Sequence, residues 1–218
     1  MIELHNVDCM EYLATCEDNA FELAIVDPPY GLDVANMNMG VGKKAGTSKA
    51  NKRNWSKKSW DATPPTDRYF QQMFRVSKNQ IVWGANYFTK HLPQSKGWIF
   101  WNKCIDEKMS FQTGEFAFTS FAKTRYYERS FNLDRNWQID GGKIHPTQKP
   151  IKLYEWLLMN YAKEGDRILD THLGSGSIAI ACHNLGFDLV GCELDTDYFK
   201  GAQKRLKQHQ SQLRIPMQ

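Results

Sequence analysis

Apolar residues recur along this chain in two patterns, and together they predict an α/β fold. Short runs that are continuously apolar, or that alternate with polar residues, predict strands at 1–7, 22–26, 79–84, 97–102, 115–121, 166–169 and 188–192. Apolar residues at helical spacing predict helices between the strands, at about 9–16, 66–76, 178–185 and 195–210 and also after residue 150. Strands that alternate with helices favour a mostly parallel sheet covered by helices.

Residues 31–64 interrupt this pattern, because they show no apolar period. Within them, 43–60 contain basic residues and no acidic ones, so the positive net charge of the chain, +4, is concentrated there. These basic residues are Lys43, Lys44, Lys49, Lys52, Arg53, Lys57 and Lys58. A loop of this length is either a solvated linker or a functional element. Its charge favours a polyanionic partner such as nucleic acid.

Length and composition narrow the choice of protein class. The 218 residues suffice for a single domain, 1–218, with a large insertion. The cysteines are odd in number and have no CxxC spacing, which predicts reduced thiols and no metal site. No apolar stretch is long enough to span a membrane, and no signal-peptide pattern follows Met1. We therefore expect a cytoplasmic protein that does not bind membranes.

The sequence Asp27-Pro28-Pro29-Tyr30 follows the strand predicted at 22–26. An acidic residue at the end of a buried strand in an α/β sheet is commonly placed for chemistry. Two prolines fix φ and remove two backbone donors, so the turn is stiff. A carboxylate, a carbonyl and a flat ring suit a planar substrate that carries an amino group. The alternative is a proline-rich turn that only closes the strand.

A second candidate site lies in 166–193, where a strand, a Gly-rich turn, a helix, a strand and an acidic residue follow one another. Gly174 and Gly176 allow a ligand to approach the backbone, and Glu193 is placed to accept hydrogen bonds from a ribose. This order favours a nucleoside cofactor. The segment contains no Gly-Lys-Ser/Thr and lacks a third glycine, which argues against a P-loop and weakens the case for NAD. A purely structural turn is the alternative.

Together with the polar turn His145-Pro146-Thr147-Gln148-Lys149-Pro150, these motifs resemble the S-adenosylmethionine-dependent amino-methyltransferases of DNA, in the permuted (β-class) order. In that family the catalytic tetrapeptide comes first. A target-recognition stretch follows, here about 122–142, and then the polar turn and the Gly-rich loop at 170–177. The resemblance implies a mixed seven-stranded, mostly parallel doubly wound sheet that is Rossmann-like and circularly permuted. The implied spatial order of strands is 1–7, 188–192, 166–169, 22–26, 79–84, 115–121 and 97–102.

The resemblance also implies an activity: methylation of the N6 amine of an adenine flipped out of double-stranded DNA, because the tetrapeptide begins with Asp. The implied catalytic residues are Asp27, Pro28, Pro29 and Tyr30, and the implied cofactor is S-adenosyl-L-methionine. The implied cofactor-binding residues are Asp8, Asp27, His145, Thr147, Gln148, Lys149, Asp170, Thr171, His172, Gly174, Ser175, Gly176, Ser177 and Glu193. We expect DNA contacts from the basic residues of 43–60 and from Arg125 and Arg135, and no metal. For the stretch that contains these two arginines and several aromatic residues, an ordinary polar edge is the alternative.

The chain departs from the family at one point and leaves several alternatives. The family loop usually reads Asp-Pro-Phe, whereas this chain has Asp170-Thr171-His172. Because a charged imidazole near a sulfonium is unfavourable, we expect His172 to be neutral or turned away. The alternative activities are methylation of cytosine N4, of RNA adenine or of a protein amide, and a non-catalytic DNA-binding subunit. A homodimer and a cognate restriction enzyme are further partners that fit a prokaryotic or phage-encoded enzyme of this kind.

Overall fold

The computed structural model describes residues 1–32, 61, 63–108, 112–129 and 142–211. Arg135 and the basic residues predicted to bind DNA in 43–60 lie outside these ranges. The strands are β1 (Ile2–His5), β2 (Phe21–Val26), β3 (Ser77–Trp83), β4 (Gly97–Asn102), β5 (Gly114–Thr119), β6 (Arg125–Glu128), β7 (Arg167–Asp170) and β8 (Asp188–Cys192). In the described part of the chain they form one sheet of eight strands, in the order β1-β8-β7-β2-β3-β5-β4-β6. Only β5 is reversed, being antiparallel to both β3 and β4.

The prediction of seven strands was wrong by one strand, although the predicted order of those seven is confirmed. The additional strand, β6, pairs in parallel with β4 at the edge of the sheet. It lies in the stretch predicted for target recognition, of which 130–141 fall outside the described residues. Its sequence, Arg-Tyr-Tyr-Glu, has no apolar run, because a strand at a solvated edge is only half covered. The buried-strand pattern therefore did not reveal it.

Helices cover both faces of the sheet. They are α1 (Cys9–Thr15), α2 (Asp67–Val76), α3 (Ile151–Tyr161), α4 (Ser177–Leu185) and α5 (Thr196–Gln210), with a short 3₁₀ helix at Ala85–Tyr87. One core layer packs α3, α4 and α5 against strand residues such as Leu23 and Ile25. The other packs α1 and α2 against the alternate residues Ala24 and Val26. This alternation within β2 shows that the strand is buried on both faces, as expected for a doubly wound sheet.

The strand registers place the ends of two central strands side by side. Strands β2 and β7 are parallel neighbours, and Ala24 is the partner of Leu169. Asp27 and Asp170, which follow these positions, therefore lie side by side at the carboxyl ends of the two strands, as predicted. Helices α1 and α5 begin at the carboxyl ends of the strands too, because Asp8 and Asp195 cap them shortly after β1 and β8. None of the helices in the described ranges is long and apolar enough to cross a membrane.

Candidate active site

A cleft with a volume of about 180 Å³ opens at the carboxyl ends of β1, β8, β7 and β2. Open α/β sheets bind ligands at this edge, because the loops that follow parallel strands meet there. The lining residues are Asp8, Cys9, Asp27, Pro29, His145, Thr147, Gln148, Lys149, Tyr154, Thr171, His172, Leu173, Gly174, Ser175, Glu193 and Leu194. The two motifs that the sequence separates, the tetrapeptide and the Gly-rich loop, thus line one cavity.

Asp27 follows β2 directly and has a partner at each carboxylate oxygen. The Tyr30 hydroxyl donates a hydrogen bond to Oδ1 at 2.6 Å, and the Lys149 ammonium donates to Oδ2 at 2.5 Å. Burial raises the pKa of Asp27, and the Lys149 ammonium counteracts part of that shift. Each carboxylate oxygen has a second acceptor position, so Asp27 can still accept a hydrogen bond from a substrate amine.

Lys149 belongs to a chain of alternating charges on the sheet side of the cleft. Its ammonium also lies 3.0 Å from Oε2 of Glu115, which is on β5, and 5.3 Å from the centre of the Trp83 ring. The other oxygen of Glu115 is paired with the Lys103 ammonium. Burial opposes the charge on Lys149, but Asp27 and Glu115 outweigh it and raise the pKa of the ammonium. Lys149 is therefore a buried, permanently charged group at neutral pH.

The turn after Asp27 is held through its backbone and its ring. The amides of Tyr30 and Gly31 donate to one carboxylate oxygen of Asp61, at 2.9 and 3.2 Å. The Tyr30 ring stacks on Tyr87, with 5.0 Å between the ring centres and an interplanar angle of 18°. These contacts fix the position from which the Tyr30 hydroxyl reaches Asp27. Burial raises the pKa of Tyr30 well above its ordinary value, so its hydroxyl stays protonated.

The Gly-rich loop turns sharply into α4 and is tied to the end of β8. Gly174 and Gly176 have φ values of 53° and 70°, a region that favours glycine. A β-carbon on Gly176 would also lie 3.0 Å from that of Ala202, so a side chain there would crowd α5. Glu193 accepts hydrogen bonds from the amides of Gly174 and Asp195, both at 2.8 Å. The same carboxylate therefore positions the loop and faces the cleft.

A chain of hydroxyls fixes the orientation of His172 in the cleft wall. Thr171 Oγ1 lies 2.6 Å from the Tyr69 hydroxyl and 2.9 Å from His172 Nδ1. Both hydroxyl hydrogens are used if Tyr69 donates to Thr171 and Thr171 donates to Nδ1, which leaves the ring proton on Nε2. Burial lowers the pKa of His172 to about 4, although Asp8 opposes this. The expectation of a neutral imidazole therefore agrees with its surroundings, and the ring lines the cleft.

Asp170 lies behind the Gly-rich loop and is buried. Burial raises its pKa to about 8, while the His172 amide, which donates to Oδ1 at 3.0 Å, opposes the shift. The negative charges of Asp27 and Glu193 raise the pKa further. The cleft edge therefore concentrates carboxyl groups that a cationic ligand would stabilise in their charged form.

The polar turn at 145–150 closes the cleft from the side of α3. Gln148 fastens it by accepting from the Ile144 amide at 2.8 Å and donating to the Gly142 carbonyl at 3.1 Å. The His145 ring contacts Tyr198 on α5 at 4.3 Å, and Thr147 Oγ1 lies 3.1 Å from its Nδ1. Burial lowers the pKa of His145 to about 3, and two nearby lysines contribute. This imidazole is therefore neutral as well.

Most of the predicted cofactor-binding residues line the cleft, and three of them do not. Asp170, Gly176 and Ser177 are packed behind its wall. Ser177 is the first residue of α4, and its hydroxyl contacts Ser175 and Arg205. Their roles in cofactor binding stay predictions, as do those of the residues that line the cleft.

Sequence reasoning missed several residues that shape the site. Glu115, Lys103 and Asp61 hold Lys149 and Tyr30 in place, and Tyr87 stacks on the latter. An acidic residue inside the aromatic strand Gly-Glu-Phe-Ala-Phe-Thr was the one signal for Glu115. Asp61 and Tyr87 lie in irregular segments, where no periodicity reveals which side chains face the site.

One predicted DNA-binding residue can be placed. The Arg125 guanidinium lies 5.5 Å from the centre of the Tyr161 ring, so its side chain packs against α3. Its contact with DNA stays a prediction. Among the residues described, no group of three or more His, Cys, Asp and Glu side chains could hold a metal ion.

Comparisons with known proteins give a consistent picture. The family model described as DNA methylase, covering N6 and N4 enzymes, matches residues 49–204. The type II methyltransferase M.HpaI of Haemophilus parainfluenzae is 24% identical over 238 residues, which cover 91% of this chain and 72% of that protein.

Two solved structures share the fold. The M1.HpyAVI–SAM complex superimposes with a TM-score of 0.59 at 17% identity, over 94% of this chain and 100% of that one. The PvuII DNA methyltransferase, titled cytosine-N4-specific, gives 0.61 at 12% identity, over 94% and 86% of the two chains. At these identities the structural matches establish the arrangement of the sheet and helices.

Proposed function

Because this chain belongs to the N6/N4 DNA methylase family, we propose that it methylates the N6 amine of adenine in double-stranded DNA, with S-adenosyl-L-methionine as the methyl donor. The observation that carries the proposal is the Asp27 carboxylate, held by Tyr30 and Lys149 at the rim of the cleft that the Gly-rich loop lines. An amine acceptor and a nucleoside-type site thus share one cavity.

The residues of the cleft fit this methyl donor. Glu193 keeps free acceptor positions beside its two backbone partners, so it can bind a ribose diol. Asp8, Asp27 and Glu193 supply negative charge to the cleft, Lys149 supplies the opposing positive charge, and the two histidines, His145 and His172, are neutral, so the lining is negative on balance. This balance suits a ligand that carries a sulfonium and an ammonium group. When bound, the donor supplies an electrophilic methyl group.

Asp27 and the Pro28 carbonyl would accept the two hydrogens of the target amine. The lone pair of this amine is conjugated with the ring, so the nitrogen is a poor nucleophile. Hydrogen bonds to a carboxylate favour a pyramidal nitrogen and stabilise the positive charge that develops on it. The stiff turn and the contacts of Asp61 keep these acceptors fixed, and in a transfer of this kind positioning is the main contribution.

The target base has to leave the double helix to reach Asp27, which costs a few kcal/mol. In the proposed complex the ring of Tyr30 stacks on the extruded base and offsets part of this cost. Tyr87 stacks on the Tyr30 ring and supports it. The basic residues of 43–60, together with Arg125 and Arg135, would contact the DNA around the flipped base. In this proposal the enzyme acts in a prokaryotic cytoplasm, and a homodimer and a restriction partner remain predictions.

Methylation of cytosine N4 is the second candidate, since the family includes such enzymes and one of the solved structures above bears that title. Both targets are exocyclic amines on planar bases, and the same acceptors can bind either. The Asp at the start of the tetrapeptide favours adenine, because cytosine N4 enzymes of this family more often carry Ser there.

Expression in bacteria that lack DNA methylation, followed by long-read mapping of modified bases, tests the proposal. We expect N6-methyladenine at one recurrent sequence in cells that express the wild type, and none in cells that express Asp27→Ala. Detection of N4-methylcytosine alone would show that the target is cytosine and not adenine. Unmodified DNA together with specific DNA binding by the purified protein would indicate a non-catalytic subunit.

A further inference from the structure

We propose that Lys149 is a positioning residue that keeps Asp27 ionised for the target amine, and that Glu115 sets how strongly it does so. The proposal rests on the proposed function, since it concerns the same reaction. The polar turn to which Lys149 belongs resembles a cofactor-binding motif. In this structure, however, its ammonium contacts two carboxylates.

The geometry of the four charges carries the argument. Lys149 lies between Asp27, at 2.5 Å, and Glu115, at 3.0 Å, and its side chain is only 4% exposed. Lys103 pairs with the far oxygen of Glu115. The groups come from four separate segments, after β2, on β5, before α3 and after β4, so the fold assembles them. The two carboxylates and the Trp83 ring therefore restrict the position of this buried ammonium.

Asp27 needs such a partner because it is buried. A carboxylate that loses its hydration takes up a proton more readily, and a protonated Asp27 would have one acceptor oxygen fewer for the amine. The ammonium of Lys149 opposes this protonation. It also occupies Oδ2, while Tyr30 occupies Oδ1, and this pair of contacts fixes the plane of the carboxylate.

Glu115 and Lys103 keep the cluster electrically neutral. Two acidic and two basic groups cancel, so positive charge that develops on the amine meets no net positive field. Glu115 also competes with Asp27 for Lys149. Its own charge lies close enough to Asp27 to raise the pKa of that group. Lys149 and Glu115 therefore act on Asp27 in opposite directions.

Other ionisable groups also face Asp27, and they do not reverse this balance. Tyr30, on the same turn, donates to it, and burial keeps this hydroxyl protonated. Among the residues that the structure describes, Asp170 at the end of β7, Tyr69 on α2 and Tyr154 on α3 also interact with Asp27 electrostatically. Both tyrosines have a raised pKa and stay neutral. Asp170, whose pKa burial raises to about 8, is mostly protonated at pH 7, and it is present unchanged in the wild type and in both variants.

The test is single-turnover methyl transfer to duplex DNA at saturating cofactor, measured from about pH 5 to 9. For Lys149→Met we expect saturated transfer at pH 7 to fall on the order of a hundredfold. The acid limb of the rate profile should move to higher pH, because the pKa of Asp27 rises without the cation. Cofactor affinity should change far less than the rate of transfer, because in this proposal Lys149 acts on Asp27 and not on the cofactor. Lys163→Met is the matched control, since Lys163 is an exposed lysine just after α3 and its replacement should leave the profile unchanged.

Glu115→Gln gives the second, opposite expectation. The substitution removes a negative charge beside Asp27 and frees Lys149 to pair with it alone, so the acid limb should move to lower pH. If Lys149 and Glu115 only supported the fold, the acid limbs of the two variants would move in the same direction or stay in place. Glu115→Gln also separates the charge effect from misfolding, because glutamine has nearly the same volume as glutamate. The unfolding of this variant can be compared with that of the wild type.

Two results would overturn the inference while leaving the proposed function intact. One is a Lys149→Met enzyme whose acid limb stays in place while cofactor affinity collapses, which would return Lys149 to the cofactor site. The other is a shift in the same direction for both variants. A wild-type protein that methylates neither adenine nor cytosine would instead refute the proposed function, and the variants would then not be compared.

Discussion

Gly84 directly follows β3 and has a φ of 68°, in the left-handed region that favours glycine. A β-carbon at this position would lie 2.1 Å from the Tyr30 ring, far inside van der Waals contact. The absence of a side chain at Gly84 therefore allows the catalytic tyrosine of the proposed mechanism to occupy its place. In the proposed mechanism Gly84 contacts no substrate, yet it determines where Tyr30, which does, can lie.

We predict that Gly84→Ala displaces Tyr30 and lowers saturated methyl transfer on the order of a hundredfold, the effect of moving a catalytic group by about 1 Å. Cofactor affinity should stay close to that of the wild type, because the ring does not line the cleft. Single-turnover transfer and a cofactor titration measure the two quantities.

Gly186→Ala is the matched control for this prediction. Gly186 ends α4 with a φ of 78°, and a β-carbon there would meet no atom within 4 Å. Both variants therefore carry the same backbone strain, about 1–2 kcal/mol, and only Gly84→Ala adds the clash. Equal activity of the two variants would show that the Tyr30 position is not critical.

At the scale of elements, Glu193 joins the end of β8, the Gly-rich loop and the start of α5. It accepts from the amides of Gly174 and Asp195, and it also lines the cleft. Asp27, at the end of β2, faces the reacting amine in the proposed mechanism. The two carboxylates therefore belong to different parts of the reaction, and their removal should have different consequences.

We predict that Glu193→Ala raises the cofactor dissociation constant about ten- to a hundredfold, the loss of a hydrogen bond to a charged group, about 1.5–3 kcal/mol. Saturated transfer should fall less, because the ribose contacts do not change during transfer. Asp27→Ala should show the reverse, with saturated transfer lowered a hundredfold or more and affinity nearly kept. Single-turnover transfer over a cofactor titration separates the two, and near-normal saturated transfer by Asp27→Ala would reduce the tetrapeptide to a stiff turn.

The predictability of these elements from sequence follows from how each is buried. Strands β2 and β8 and the second half of β3 are covered on both faces, so their apolar residues follow one another and their positions could be predicted directly. Strand β6 is half exposed and carries two charged residues, so its pairing with β4 depended on the finished sheet. The prediction that the end of β2 lies beside that of β7 came from the resemblance and not from any local pattern.

The candidate site divides in the same way. Asp27, the Gly-rich loop and Glu193 stand at strand ends, where short motifs mark them. The contact between Lys149 and Asp27 joins residues 122 positions apart, and Glu115 enters it only through the register of β5 with β3 and β4. Such contacts depend on tertiary packing, which a single sequence does not encode locally.

At the scale of the whole molecule, charge of opposite sign is separated between two regions. The cleft is negative on balance, with Asp8, Asp27 and Glu193 in its lining against the single lysine Lys149. The stretch 43–60 concentrates basic residues and contains no acidic ones. In the proposed function these regions bind ligands of opposite charge, a cationic methyl donor and the phosphates of DNA, so changes in one region should leave the ligand of the other unaffected.

We predict that the stretch 43–60 contacts DNA phosphates, so that neutralising its basic residues weakens DNA binding and flattens its salt dependence. Each phosphate contact contributes about 0.9 to the slope of log affinity against log salt concentration, so replacing three lysines by glutamine should reduce the slope by up to about three. The compared sets are Lys49, Lys52 and Lys57 in this stretch, and the exposed Lys163, which precedes β7, together with the exposed Lys204 and Lys207 on α5. Both sets remove the same charge, so only contact with phosphate distinguishes them in a titration from 50 to about 200 mM salt. Cofactor affinity should stay constant in both, and equal slopes for the two sets would identify 43–60 as a solvated linker.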